Sequence, residues 1–127
     1  TTRMWFTADQ IKTKALQKLV WLNNNEIERE MVQLFYEIFD VSTANEIKIT
    51  PRDVVATIVK TRRKHYEVNE VRKILKSKWG LKPSDNSNAY KGYEYTSYGE
   101  FIELDRKGRY YIIKRIFIEQ IFDEMMT

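Results

Sequence analysis

Residues 50–80, TPRDVVATIVKTRRKHYEVNEVRKILKSKWG, decide the fold. Thr50 is suited to cap a helix, Pro51 to occupy its first position and Asp53 to sit in its first turn, so a helix starts here with little ambiguity. Val54, Val55, Ile58 and Val59 supply its apolar face, and the spacing predicts an end near Arg62. Arg63-Lys64-His65-Tyr66 is then a short turn, and a second helix is predicted from Glu67 to Trp79, closed by Gly80 where a left-handed backbone is easiest. At about 100° per residue, Val68, Val71, Ile74, Leu75 and Trp79 share one arc, while Asn69, Arg72, Lys73, Lys76 and Ser77 share the opposite one. The outer arc is therefore basic. Lys78 falls inside the apolar arc, where its stem is expected to lie on the core with the ammonium in water.

Upstream of this pair, Thr7-Ala8-Asp9-Gln10 is a capping-box pattern, and Ile11, Ala15, Leu19 and Leu22 mark a helix over residues 7–22 that Asn23-Asn24-Asn25 ends. A further helix opens at Glu26, with Glu26, Glu28 and Glu30 near its positive end and Ile27, Met31, Leu34, Phe35 and Ile38 as its buried stripe. Glu46-Ile47-Lys48-Ile49 alternates like a short strand. Downstream, residues 82–99 are rich in Ser, Asn, Gly and Tyr and are expected to form a loop. Two strands, Glu100 to Leu104 and Arg109 to Lys114, then flank a turn at Asp105-Arg106-Lys107-Gly108. Ile116 to Met126 closes the chain as a helix with Phe117, Ile118, Ile121, Phe122 and Met125 on one face.

From Glu26 the order is helix, strand, helix, helix, strand, turn, strand. That is the order of a winged helix-turn-helix, in which the hairpin forms the wing. The expected fold class is α+β, mainly helical: a single winged-helix domain over residues 1–127, with an accessory helix at 7–22, a core at 26–114 and a C-terminal helix at 115–127. A chain of 127 residues, 43% hydrophobic and 13% aromatic, has the apolar surface for one such core.

Composition narrows the function. No cysteine and one histidine, His65, leave thiol chemistry unsupported and metal chemistry almost so, and neither a membrane span nor a secretory signal is apparent. No cofactor or membrane partner is expected, and a cytoplasmic location is. The chain opens Thr1-Thr2-Arg3-Met4 without an initiator methionine, as expected of a piece of a larger protein. Enzyme readings find no support: no phosphate-binding Gly-rich loop with Lys is present, and Glu46-Ile47-Lys48, which matches the acid-x-lysine strand of some nucleases, is a triplet that short strands produce by chance.

Charge is unevenly spread. Residues 52–82 hold ten Lys and Arg against three Asp and Glu, while the remainder holds twelve against fifteen. A basic middle on a mildly acidic body is a footprint for a polyanion. The expected partner is DNA, single- or double-stranded. Arg62, Arg63, Lys64, Lys73 and Lys76 are candidates for phosphate contact, Asn69 and Arg72 for base contact, and Arg106, Lys107 and Arg109 for a basic wing tip. The plain alternatives are a solvated lysine-rich face and an ordinary charged turn. Tyr90, Tyr93, Tyr95 and Tyr98 either stack on unpaired bases or pack over the domain edge. Two rival functions stand beside DNA binding: docking within a replication complex, with the Phe117 to Met125 stripe as the contact, and stand-alone transcriptional regulation as a dimer.

Phe6-Thr7-Ala8-Asp9-Gln10, the acidic helix from Glu26 to Phe39, Ile49-Thr50-Pro51-Arg52-Asp53-Val54-Val55 and the run from Val68 to Gly80 together give the chain a likeness to a known context. It resembles the C-terminal part of phage, plasmid and genomic-island primase-helicases, including the virulence-associated-E type. The resemblance covers about three fifths of the chain as a pattern. It implies a non-catalytic accessory winged helix that helps a replication protein engage DNA and contact its other domains. None of that family's catalytic or nucleotide-binding residues has a counterpart here, and the Tyr-rich segment before the wing departs from the pattern.

Overall fold

The computed structural model describes residues 26–85 and 88–126. The helix expected over residues 7–22 lies outside them. Among the described residues the fold is α+β, about half helical, with four helices and two small antiparallel sheets. In order these are α1 (Glu26–Asp40), β1 (Glu46–Ile49), α2 (Pro51–Arg62), α3 (Val68–Lys73, continued by a wider turn over Ile74–Lys78), β2 (Ala89–Tyr95), β3 (Phe101–Lys107), β4 (Tyr111–Lys114) and α4 (Arg115–Met126). Among the described residues, no helix is long and apolar enough to cross a membrane.

Local chemistry accounts for the element starts. Thr50 is extended, its hydroxyl accepts from the Asp53 amide at 3.1 Å, and Pro51 follows in the first turn, where its missing N–H costs nothing. At the other end of α2, Arg63 takes up the left-handed conformation at φ 58° and its amide donates to the Val59 carbonyl. That position usually selects glycine.

The core forms where α1, α2 and α3 meet the sheet of β1 and β4. Met31, Leu34, Phe35 and Ile38 of α1 are fully buried, as are Val54 and Ile58 of α2, Val71 and Leu75 of α3, and Ile118 of α4. Register places Ile47 opposite Ile113 and Ile49 opposite Tyr111 on the inner face, which leaves Glu46, Lys48, Ile112 and Lys114 outside. Each large apolar side chain so buried contributes roughly 1.5–3 kcal/mol, which is why a few short elements suffice. The apolar stripe of α4 is used internally: Met125, Ile121 and Phe122 pack beside Val32, and Phe122 stacks on Tyr36 with centroids 3.8 Å apart. Most of that stripe is thereby occupied within the domain, while Phe117 packs on Trp79 at the end of α3.

Two further expectations change. Residues 89–95, expected within a loop, form β2 and pair with β3 from Ala89↔Lys107 to Tyr95↔Phe101. The hairpin turn is therefore residues 96–100, not 105–108. Near Gly108, whose φ is 131°, the chain passes from β3 to β4, so that a single run pairs first with β2 and then with β1. The hairpin also packs along α2, with Lys60 of α2 3.1 Å from Glu94 of β2.

Candidate nucleic-acid interface

Helix α3 turns its apolar arc inward, with Val71, Ile74 and Leu75 buried, and leaves Asn69, Arg72, Lys73, Lys76 and Ser77 exposed. Its last turn is not α-helical. The Trp79 amide donates to the Ile74 carbonyl five residues back at 2.8 Å, a π turn. The end of this turn reaches a buried carboxylate on α1. Glu28 of α1 is only 2% exposed; it accepts a 2.7 Å hydrogen bond from Trp79 Nε1, and Lys78 Nζ lies 2.8 Å from its other oxygen. Lys78, whose side chain stays 28% exposed, thus neutralises a buried carboxylate from the edge of the core. Without that cation the carboxylate would be severely destabilising.

A groove of about 750 Å³ opens between α3, the N-terminus of α2 and the root of the hairpin. Six cations line it, Arg52, Arg72, Lys76, Arg106, Lys107 and Arg109, against the carboxylates of Asp53 and Asp105. The first turn of α2 also faces this space, and a helix N-terminus adds partial positive charge. A shallower groove of about 650 Å³ lies on the other flank of α3 and shares Arg52 and Arg72 with the first, adding Lys60, His65 and Asn69. This second groove also contains Glu67 and the apolar Val55, Val59 and Val68.

The root of the hairpin is fixed by a small polar assembly. Tyr90 of β2 donates its hydroxyl to Asp53 Oδ2 at 2.5 Å, and Arg106 Nε lies 3.7 Å from Asp53 Oδ1. Burial, then the bond to Asp53, pushes the Tyr90 phenol up to about 12. Burial and the neighbouring Glu103 carboxylate do the same to Tyr93, also to about 12. The Arg106 side chain crosses the strand over Gly92, so closely that a Cβ on Gly92 would sit 2.7 Å from Arg106 Nε. Glycine here is what lets Arg106 lie flat and reach the groove.

The expected site residues divide into three groups. Arg72, Lys76, Arg106, Lys107 and Arg109 line the main groove, and Asn69 accepts a hydrogen bond from Arg72 on the second flank. Lys73 and Arg63 are exposed outside both grooves. Arg62 and Lys64 face elsewhere. Arg62, 14% exposed, pairs with Glu37 at 2.5 Å and approaches Glu30 at 3.8 Å, and Lys64 lies 3.2 Å from Glu26 and 3.5 Å from Glu30. They stitch α1 to the turn before α3. Arg106, Lys107 and Arg109 are at the root of the hairpin, not at its tip, because β3 extends through residue 107. Arg52 and Asp53 were not among the expected site residues, and Tyr90 was expected only as a stacking ring or an edge residue. Arg52 had a legible signal, a cation one place after Thr-Pro at a helix start, whereas Tyr90 depends on a strand that local pattern did not reveal.

Of the four tyrosines, Tyr90 and Tyr93 are 4% and 3% exposed, which rules them out as stacking platforms. Glu46 and Lys48 lie on the outer face of β1, with the Lys48 ammonium 5.5 Å from the centre of the Tyr110 ring. Among the described residues, no three His, Cys, Asp or Glu side chains converge as a metal site would require. No protein-family model, curated protein or solved structure matches the chain.

Proposed function

We propose that the chain is a winged-helix module that binds the backbone of DNA in the groove between α3 and the root of the β2–β3 hairpin, as a non-catalytic part of a mobile-element replication protein. The observation that carries this reading is the convergence of six cations from α2, α3, β3 and the link after β3 on one concave surface. Support for the winged-helix reading comes from the strand pairing: one run pairs first with β2 and then with β1, behind two helices joined by a five-residue turn at 63–67. In that arrangement α3 is the recognition helix and the hairpin is the wing.

Affinity then comes from phosphates exchanging their condensed counterions for Arg72, Lys76, Lys107 and Arg109. Asn69, already hydrogen-bonded to Arg72, presents its amide toward base edges. The test is a duplex titration across a salt series. Four phosphate contacts give a log–log slope of roughly −3.6, and Arg72→Ala with Lys76→Ala makes it shallower by roughly 1.8. A flat salt dependence removes the reading.

A second reading, docking onto a neighbouring domain of the parent protein, is favoured by one observation. An apolar groove of about 430 Å³ lies between Trp79, Leu81, Ile112, Ile116 and Phe117, with Ile116 63% exposed. Ile116→Asp is its test: lost association with the parent's remaining domains, at unchanged DNA affinity, selects it.

A further inference from the structure

The hairpin carries its cations only at its root. From Gly92 to Asp105 there is no Lys or Arg, and Glu94, Glu100, Glu103 and Asp105 make this stretch acidic. A wing built to hold phosphate at its tip would have the opposite charge. What the tip presents instead is a ring: Tyr98 is 89% exposed, more than any other large hydrophobic side chain among the described residues.

The loop that holds this ring is tightly made. Thr96 N donates to the Glu100 carbonyl at 2.7 Å, Gly99 N donates to the Thr96 carbonyl at 3.0 Å, and the Thr96 hydroxyl accepts from the amides of Tyr98 and Glu100, each at 3.2 Å. Gly99 takes φ 82°, a conformation that closes the turn without strain only for glycine. Below it, Tyr95 and Phe101 pack edge to face at 5.4 Å and brace the last strand pair. The ring is thus displayed by an ordered support.

We infer that Tyr98 is a base-stacking contact, and that the ligand of the groove is DNA at a junction between duplex and unpaired strand. The inference rests on the DNA-binding reading above and specifies its substrate. An uncharged ring on an acidic tip has no cation to offer a phosphate, only a hydroxyl, but its face can stack on a base. Within a duplex those faces are covered by neighbouring pairs; they become available where strands part. The rise of a strand puts Phe101 about 17 Å from Arg106, so the ring stands well away from the cations at the root.

The experiment compares a blunt duplex with a forked duplex of the same paired length, carrying 2-aminopurine at the first unpaired position. The protein is tested as wild type, Tyr98→Ala, Tyr98→Trp, and Arg72→Ala with Lys76→Ala. The wild type is expected to prefer the fork by about tenfold, the worth of one stacked base, and to change the 2-aminopurine fluorescence on binding. Tyr98→Ala is expected to reduce fork affinity to the duplex value while leaving duplex affinity unchanged, and Tyr98→Trp to retain the preference. Salt-sensitive duplex binding with no fork preference, or a preference that survives Tyr98→Ala, overturns this inference and leaves the groove reading standing. Equal losses on both DNAs from Tyr98→Ala also overturn it, because the ring would then touch paired DNA. Absence of any salt-sensitive binding, or binding indifferent to the loss of Arg72 and Lys76, overturns the groove reading instead.

Discussion

Tyr90 and Asp53, 37 residues apart, share a 2.5 Å hydrogen bond that ties the first strand of the hairpin to the first turn of α2. The same carboxylate faces Arg106, so one acidic side chain positions both a tyrosine and a cation at the edge of the basic groove. Tyr90→Phe removes the donor and leaves that oxygen without it. It is expected to destabilise the fold by about 1.5–3 kcal/mol, as read from the urea midpoint at constant m-value.

The two raised phenols give stability a pH dependence with a definite sign. Tyr90 and Tyr93 keep their protons to about 12 in the folded chain, whereas unfolded tyrosine loses its proton near its ordinary value of about 10. Between these limits the folded state binds more protons than the unfolded one, so their contribution is fully present below pH 10 and is lost as pH rises toward 12. Denaturation midpoints are expected to fall through this window, and to fall less steeply in the double variant Tyr90→Phe with Tyr93→Phe. Identical slopes would show that the phenols contribute nothing.

Lys76 and Lys78, two residues apart, are expected to behave oppositely. Lys78 neutralises buried Glu28, so Lys78→Ala leaves a charge uncompensated in the core and is expected to cost roughly 3 kcal/mol. Lys76 is exposed in the groove, and Lys76→Ala is expected to change stability by less than about 0.5 kcal/mol while weakening DNA binding. Thermal denaturation of the pair checks both.

At Arg63 the left-handed backbone is carried by a residue with a Cβ. Arg63→Gly is expected to raise stability by about 1 kcal/mol, with the helix end unchanged. A lower midpoint in the same urea titration would mean that the arginine side chain contributes more than its backbone costs.

How much of this was legible in the sequence depended on how local the cause is. The start of α2 was readable to the residue, because Thr50, Pro51 and Asp53 act within one turn. The outward basic face of α3 was readable from its period, but the π turn was not, and neither was the contact of its end with Glu28 about 50 positions upstream. Strand β2 was hidden because its buried residues, which lie on both faces, are Tyr90, Gly92 and Tyr93: tyrosines that end in hydroxyls, and a glycine chosen by Arg106 on the opposite strand. With the turn at Gly99 and not at Gly108, Arg106, Lys107 and Arg109 belong to the root of the hairpin, where a reading of the turn residues alone puts them at its tip. The pairing of Arg62 and Lys64 with Glu26, Glu30 and Glu37 was equally invisible, being a contact between helices.

The most direct test separates the groove from mere positive charge. Two variants with the same change in net charge are compared for duplex binding by fluorescence anisotropy at low salt. One is Arg72→Glu with Lys76→Glu, inside the groove; the other is Lys82→Glu with Lys114→Glu, exposed cations outside it. A DNA site in the groove predicts a loss on the order of 100-fold for the first and only a few-fold for the second, because reversing a cation that touches phosphate outweighs a change in the distant field. Equal losses in the two variants would contradict it.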